Sequence, residues 1–430
     1  MAITGRFVIF FALGAVPIVI LSDQRVIIWW SLLSLALMVT DVLLAGSPRQ
    51  LTLERDLPAL VRLGETVTST VYLTNRGRRA VRGLVRDAWQ PSAGAAARRS
   101  PLRLPVGERR ALSTTLTPFR RGLRQSAHVT VRSFGPLGFA ARQATIAVPG
   151  TISVLPPFNS RKHLPSRVAR LRELDGLSSL MVRGHGTEFD SLREYVRGDD
   201  VRSIDWRATA RRSELVVRTW RPERDRRVVI IIDSGRTSAA RIDNEPRIDT
   251  AFESSLLLAA LATRAGDRVD LLIYDRRVRG RVQGATGSEL LSRMVNVMGP
   301  IQPELIEMDW TSVPGLVRSV TTHRALVVIM TSIDSAGASA GLLAVLPQLT
   351  RQHRVIVATV TDPDVDAATH ARPNRDAVYL AAAAERALLD TTRVAAAITQ
   401  LGAHVVQAVP SELPPALSDR YIALKAAGQL

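Results

Sequence analysis

Phe7 to Leu21 is an almost unbroken apolar run, FVIFFALGAVPIVIL, and Val26 to Ala45 is a second, separated from it by the polar Ser22-Asp23-Gln24-Arg25. A stretch of roughly twenty apolar residues crosses a bilayer as a helix. The pattern therefore predicts a transmembrane helical hairpin over residues 1–48, with helices over about 3–21 and 26–45. The first is short and needs Ala2 to Gly5 or a thinned bilayer to span fully. Pro17 predicts a kink there, which membrane helices tolerate. Trp29 and Trp30 stand where interfacial anchors stand. Asp41 is expected to reach the interface or to bond to the first helix. A cleaved signal peptide needs a basic start and small residues at the cut; Arg6 is the only early charge, and Ile20 and Leu21 are bulky, so cleavage is not expected.

Past residue 50 the period changes from helical to alternating. Thr66 to Thr74, Ala111 to Leu116 and Ala127 to Arg132 are strand candidates, punctuated by Asn75-Arg76-Gly77, Gly135-Pro136 and Pro149-Gly150. Short alternating strands between turns predict an immunoglobulin-like β-sandwich over 50–156, with a loop at 91–100. No cluster of catalytic side chains falls in it, so a spacer or interaction module is expected.

From Arg227 the pattern changes again. Val228 to Ile232 is a buried-strand run ending at Asp233, followed by a periodic helix over about 247–264 and a strand at Val269 to Tyr274. Strands at Ala325 to Met330, at Val355 to Val360 and around Val405-Val406 then alternate with helices near 288–297, 341–349 and 377–401. This predicts an open α/β sheet over 227–430, mostly parallel and covered on both faces. Its functional crevice belongs beyond the strand carboxyl ends: Asp233 to Ser238, Thr331 to Asp334 and Asp362 to Asp366.

Charge adds a direction. The chain of 430 residues has a formal charge of +18, carried by Arg apart from Lys162 and Lys425. No basic run is interleaved with aromatics and no zinc-finger or RNA-binding pattern appears, so an acidic lipid leaflet rather than nucleic acid is the expected partner. The loop between the apolar runs carries Arg25 offset by Asp23, whereas the outer flanks carry Arg6, Arg49, Arg55 and Arg62. Positive flanks stay inside, which predicts a two-pass inner-membrane protein with its soluble domains on the cytoplasmic side. The chain has no Cys, which excludes disulfides and thiol chemistry.

Residues 157–226 contain an acid–base alternation with interleaved aromatics: Gly186-Thr187-Glu188-Phe189-Asp190-Ser191-Leu192-Arg193-Glu194-Tyr195-Val196-Arg197-Gly198-Asp199-Asp200-Val201-Arg202-Ser203-Ile204-Asp205-Trp206-Arg207-Ala208-Thr209-Ala210-Arg211. By chemistry alone this is a salt-bridged wrap packing on the sheet through its aromatics, or a partner-binding strip made of Glu188, Arg193, Asp199, Asp200, Asp205 and Trp206. The stretch, with Leu215 to Asp233 after it, resembles the bacterial family known as domain of unknown function 58. The resemblance implies a multidomain protein in which the C-terminal α/β domain is von Willebrand factor A-like. It also implies a MoxR-type AAA+ ATPase as associate and a suspected role in complex assembly.

A-type domains hold a hard cation such as Mg²⁺ through an Asp-x-Ser-x-Ser loop, a Thr and a further Asp. Here the first loop is Asp233-Ser234-Gly235-Arg236-Thr237, and Thr331-Ser332 replaces Thr-Asp with Asp334 two residues late. Asp233, Thr237 and Asp334 are thus the candidate metal ligands of a degenerate site, with Thr286 a candidate that the spacing alone does not fix. Without a metal, Asp233 is expected to cap its turn through Arg236 or a backbone N–H. Ser234, Arg236 and Ser332 complete a partner-binding edge. Enzyme motifs are absent: neither Lys fits a phosphate loop, and no zinc-protease or dinucleotide fingerprint occurs. Gly337-Ala338-Ser339-Ala340-Gly341 matches a nucleophile elbow by letter, but lies too far from its strand and in loop-like composition. Asp362-Pro363-Asp364-Val365-Asp366 is expected to be a turn. The expectation is a non-enzymatic membrane scaffold, with a metal-dependent adhesion-type receptor as the alternative and a hydrolase as a remote one.

Overall fold

The computed structural model describes residues 2–430 except 22, 97–98, 182–187, 198, 213, 222–225 and 244, and describes backbone alone at 175–181, 188–191, 212 and 219–221. The chain forms two compact units, Met1–Leu155 and Pro156–Leu430.

The first unit begins with a two-residue strand β1 (Ala2–Ile3) and the helices α1 (Gly5–Leu13), α2 (Ala15–Leu21) and α3 (Gln24–Leu44). The break between α1 and α2 falls at Gly14, three residues before Pro17, whose ring excludes the preceding turn from regular bonding. A side chain at position 14 would meet the Trp30 indole, which instead donates from Nε1 to the Phe11 carbonyl at 3.2 Å. Trp30 is therefore a helix–helix contact as well as an aromatic at the loop end. Among the described residues α3 opens the one stretch long and apolar enough to cross a membrane, and α1 with α2 forms a shorter apolar one. Val19, Ile20 and Trp29 are more than 70% exposed; apolar surface on this scale is unfavourable in water, and it points to a membrane anchor.

The strands that follow are β2 (Leu51–Asp56), β3 (Leu60–Arg62), β4 (Val67–Asn75), β5 (Val81–Trp89), β6 (Ser100–Leu104), β7 (Arg109–Leu116), β8 (Gly122–Phe134) and β9 (Ala140–Leu155). They form one sheet of order β1-β9-β8-β5-β6, with β3 also on β9, and a second of order β2-β4-β7. Leu51, Val71 and Leu73 of the second sheet meet Val85, Leu104, Val129 and Val131 of the first in a common core, so the two sheets make a sandwich. The alternation that predicted these strands is the alternation of core-facing and outward positions.

The apolar hairpin is tied to this sandwich. Asp41, fully buried, accepts backbone N–H bonds from Leu137 (2.7 Å), Phe139 (2.8 Å) and Ala140 (2.9 Å) in the β8–β9 turn. Thr4 Oγ1 donates to Gly138 O at 2.7 Å in the same turn. Asp41 thus bonds neither to the first helix nor to the interface, contrary to expectation, because three free turn donors satisfy its charge better than either. Arg55, expected as an exposed flanking charge, is 4% exposed and ion-paired with Asp87 at 2.8 Å inside the sandwich.

In the second unit α4 (Leu164–Met181) is followed by a separate antiparallel pair, β10 (Glu188–Glu194) and β11 (Val216–Arg221), with the short α5 (Trp206–Arg212) between them. Then come β12 (Arg227–Asp233), the two-residue pair β13 (Arg241–Ile242) and β14 (Glu245–Pro246), and α6 (Arg247–Arg264). β15 (Arg268–Tyr274), β16 (Val278–Val282), α7 (Gly287–Met298) and α8 (Val313–Val320) follow. The remainder is β17 (Leu326–Met330), α9 (Ala336–Thr350), β18 (Arg354–Val360), α10 (Pro363–His370), α11 (Arg375–Gln400), β19 (His404–Ala408) and α12 (Leu413–Ala426).

The sheet order is β16-β15-β12-β17-β18-β19, parallel throughout except for β16. Val229, Ile231, Val327 and Ile329 pack against α8, α9 and α11 on one face, while α6 is buried along most of its length. Burial on both faces explains the unbroken Val/Ile runs. Two expectations are corrected. Ser339 lies inside α9, which Ser335 caps five or more residues before the expected start, so Gly337 to Gly341 is helix rather than loop. Asp362 caps the short helix α10 instead of closing a simple turn.

Candidate functional site

The parallel strands diverge in connection between β12 and β17: from β12 the chain runs outward to β15 and β16, then returns to β17 on the other side. Beyond the carboxyl ends of two such strands the loops separate and leave a crevice. A small cleft opens there, and Asp233, Ser238, Arg247, Thr331, Ser332 and Leu413 are among the residues lining it.

Asp233, the last residue of β12, is 4% exposed. Its Oδ1 accepts from the Gly235 N–H at 2.8 Å; its Oδ2 accepts from Thr331 Oγ1 at 2.7 Å and Thr237 Oγ1 at 3.4 Å. Burial pushes its pKa up, against these three hydrogen bonds, and the neighbouring Asp275 adds to the rise. Ser234 turns the other way and donates to Asp275 Oδ2 at 3.1 Å. Burial also pushes the fully buried Asp275 up, but bonds from Arg279 and the Arg277 and Arg276 N–H groups outweigh it and hold the pKa below the ordinary value.

The remaining predicted residues separate. Arg236 does not reach Asp233; it pairs with Glu307 at 2.5 Å, both largely exposed. Asp334 pairs with Arg247 at 2.8 Å. Ser332 lines the cleft. Thr286 sits at the start of α7 and is not among the cleft residues. Of the signature residues, Arg193 pairs with Asp199 at 2.6 Å and Asp205 with Arg218 at 2.8 Å. Asp200 caps a short 3-10 turn at Val201–Ser203. Trp206 is 65% exposed, so it does not pack on the sheet. Gly186, Thr187 and Gly198 lie outside the described residues, as does the Glu188 side chain.

These residues do not fit a divalent cation. A hard cation wants about six oxygens, and among the described residues no group of three or more acidic, His or Cys side chains lies together. The place of the first loop hydroxyl is occupied: a Cβ on Gly235 would come within 2.7 Å of the Ile306 carbonyl. Arg236 N–H donates to that same carbonyl at 2.8 Å, and Glu304 N–H to Ser234 O at 2.9 Å, so the 304–309 segment closes over the loop. Arg247 brings a guanidinium into the cleft, with its Nε buried and unpartnered. A fixed cation there opposes a mobile one. Sequence reasoning missed Arg247 and Asp275, which only the fold brings near Asp233, and Glu307, which it brings to Arg236; the sole sequence signal was the position of Arg247 at the start of a strongly periodic helix.

Residues 191–397 match the family described as Protein of unknown function DUF58. It is 25% identical over 185 residues to the uncharacterized protein Rv1480 of Mycobacterium tuberculosis, covering 43% of this chain and 57% of that one. It is 29% identical over 124 residues to the uncharacterized protein YeaD of Bacillus subtilis, covering 28% and 30%. The chain thus spans little more than half the length of the first of these relatives. A CARDB domain from Pyrococcus furiosus, 19% identical, covers 24% of this chain and 86% of its own with a TM-score of 0.19, too slight a likeness to assign a fold.

Proposed function

We propose that the chain is a membrane-anchored, non-enzymatic scaffold whose α/β unit is von Willebrand factor A-like and binds a protein partner, without a metal, at the carboxyl edge of its sheet. The observation that carries this reading is the pairing state of that edge. Arg236–Glu307 and Arg247–Asp334 are ion pairs on the rim of a cleft at the switch point, at least half exposed on one or both members. Such pairs contribute little to stability, and a charged partner can exchange with either member. A MoxR-type AAA+ ATPase is the associate we propose. In a native-membrane co-purification, Arg236→Glu should abolish recovery of the ATPase while the melting curve stays unchanged. Undiminished recovery with the variant sinks the edge as the docking site, and no ATPase recovered with the wild type sinks the partner.

We further propose a two-pass topology with both soluble units on the cytoplasmic side. Support comes from the base of the hairpin, where Thr4 and Asp41 bond to one and the same turn. Both helices then leave from one end of the sandwich, and Asp23, the cap of α3, lies a helix length away, about 31 Å by the rise of α3. The chain has no Cys, so a single Cys at Gln24 and another at Ser113 give clean reporters. An impermeant thiol reagent on intact spheroplasts should label the first alone; labelling of the second reverses the orientation.

A further inference from the structure

Two sandwich turns meet the hairpin base. Residues 135–139 hold Asp41 and Thr4, as described. The β4–β5 turn lies against the exit of α3: a Cβ on Gly46 would come within 2.4 Å of the Ala80 carbonyl, Arg76 N–H donates to Gln50 O at 3.2 Å, and Arg79 Nη1 donates to Leu43 O. Leu43 is in the last turn of α3, so Arg79 caps the helix's unsatisfied carbonyl end, where a cation is favoured.

Around this base stand Arg6, Arg49, Arg76, Arg78 and Arg79, all exposed. None of the five ion-pairs with an acidic side chain among the described residues, whereas Arg55, deeper in the sandwich, is fully paired. Five exposed guanidinium groups at the end of an apolar helix are a costly arrangement unless something neutralises them. At that depth the available anion is a lipid phosphate, whose geometry suits a guanidinium fork.

We propose that these five arginines form a collar that binds the headgroups of anionic phospholipids around the hairpin base. The proposal rests on the reading of the hairpin as a membrane anchor. It differs from a general basic attraction in naming a site: the β4–β5 turn and the two hairpin ends, at one level. It also differs from the flank expected from the sequence, since Arg55 is withdrawn from it and Arg76, Arg78 and Arg79 join it.

The test uses the full chain in detergent, offered phosphatidylglycerol or phosphatidylcholine, with retained lipid counted by native mass spectrometry. Wild type should prefer phosphatidylglycerol, and the preference should weaken with salt. Each arginine near an anionic surface is worth about fivefold, so R76Q/R78Q/R79Q should lower the preference by at least about tenfold. The corresponding Lys variant should keep most of it. Should the Gln variant fail to fold, Arg49→Gln and Arg78→Gln, whose side chains make no bond to the sandwich among the described residues, carry the test singly. Equal retention of both lipids by wild type, or an unchanged preference in a folded Gln variant, overturns the collar. Release of the full chain from membranes by alkaline carbonate overturns the anchor, and it does so independently of the detergent measurement.

Discussion

Each unit buries a carboxylate at the centre of a polar network, and the two networks are built differently. In the sandwich Asp87 receives a two-pronged Arg55 guanidinium at 2.8 Å on each oxygen, the Ser126 hydroxyl at 2.9 Å and the Trp89 Nε1–H at 2.8 Å. Arg55 spends its other donors on Ser69, Ser126 and the Val148 carbonyl. The charges cancel, and the donors and acceptors match. In the α/β unit Asp233 ion-pairs with no basic side chain among the described residues, lines a cleft, and is held by one backbone N–H and two hydroxyls. A saturated network fixes how two sheets stack. An unpaired acid at a topological switch point keeps the freedom to change its proton or its neighbour.

The sharpest way to break that contrast is to open the closed network. Asp87→Ala leaves Arg55 charged and buried without its partner, a loss of about 3–5 kcal/mol, which should unfold the sandwich in urea far ahead of the α/β unit. A loss under about 1 kcal/mol would make the pair no more structural than a surface bridge. Next in size, Asp41→Ala deprives three turn N–H groups of their acceptor and should cost about 3 kcal/mol, read as early proteolysis within residues 135–139. Asp41→Asn, which keeps an acceptor, should recover part of it.

Asp233→Asn should have a smaller effect with a distinctive pH signature. The folded pKa is raised by burial, so the folded chain holds this proton more tightly than the unfolded chain. That contribution is complete below the ordinary carboxylate pKa and lost as pH rises through the raised value. The variant lacks the loss, so its stability relative to wild type should improve from acid to neutral pH. A difference that is flat with pH would make Asp233 a fixed structural charge. Smallest of all, Trp206→Ala should change stability by less than about 0.5 kcal/mol, because the indole is 65% exposed; cooperative unfolding would restore the packed wrap.

Much of the architecture could be read along the chain because it depends on local period. The apolar runs, the alternation near Val67–Asn75 and the Val/Ile strands ending at Asp233 and Met330 each report their own burial. Helix α6 matches its expected span, 247–264, because its periodicity and the closing Gly266-Asp267 are unambiguous. Missed elements had weaker signals. β16 carries alternating Arg and small residues, and α12 contains Pro414 and Pro415 within its first turn, where proline is tolerated but disguises a helix. The positions of the site residues could be read in part: Asp233 ends β12 and Ser332 lines the cleft, Thr237 bonds to Asp233, and Asp334 and Arg236 are diverted to Arg247 and Glu307.

The sequence by itself determined which segments are apolar enough for a membrane, where strands and helices alternate, and that the loop from Asp233 to Thr237 lacks a side-chain hydroxyl at Gly235. These follow from side-chain type and spacing, which act over a few residues. Only the tertiary structure decided what each charge meets: that Arg55 is buried against Asp87, that Asp41 holds a sandwich turn, and that the Ile306 carbonyl fills the space Gly235 leaves. Those outcomes depend on donors and acceptors far apart in the chain, from 32 residues between Arg55 and Asp87 to 99 between Asp41 and Ala140. The energy of a charge is set by such neighbours, and no local pattern encodes them.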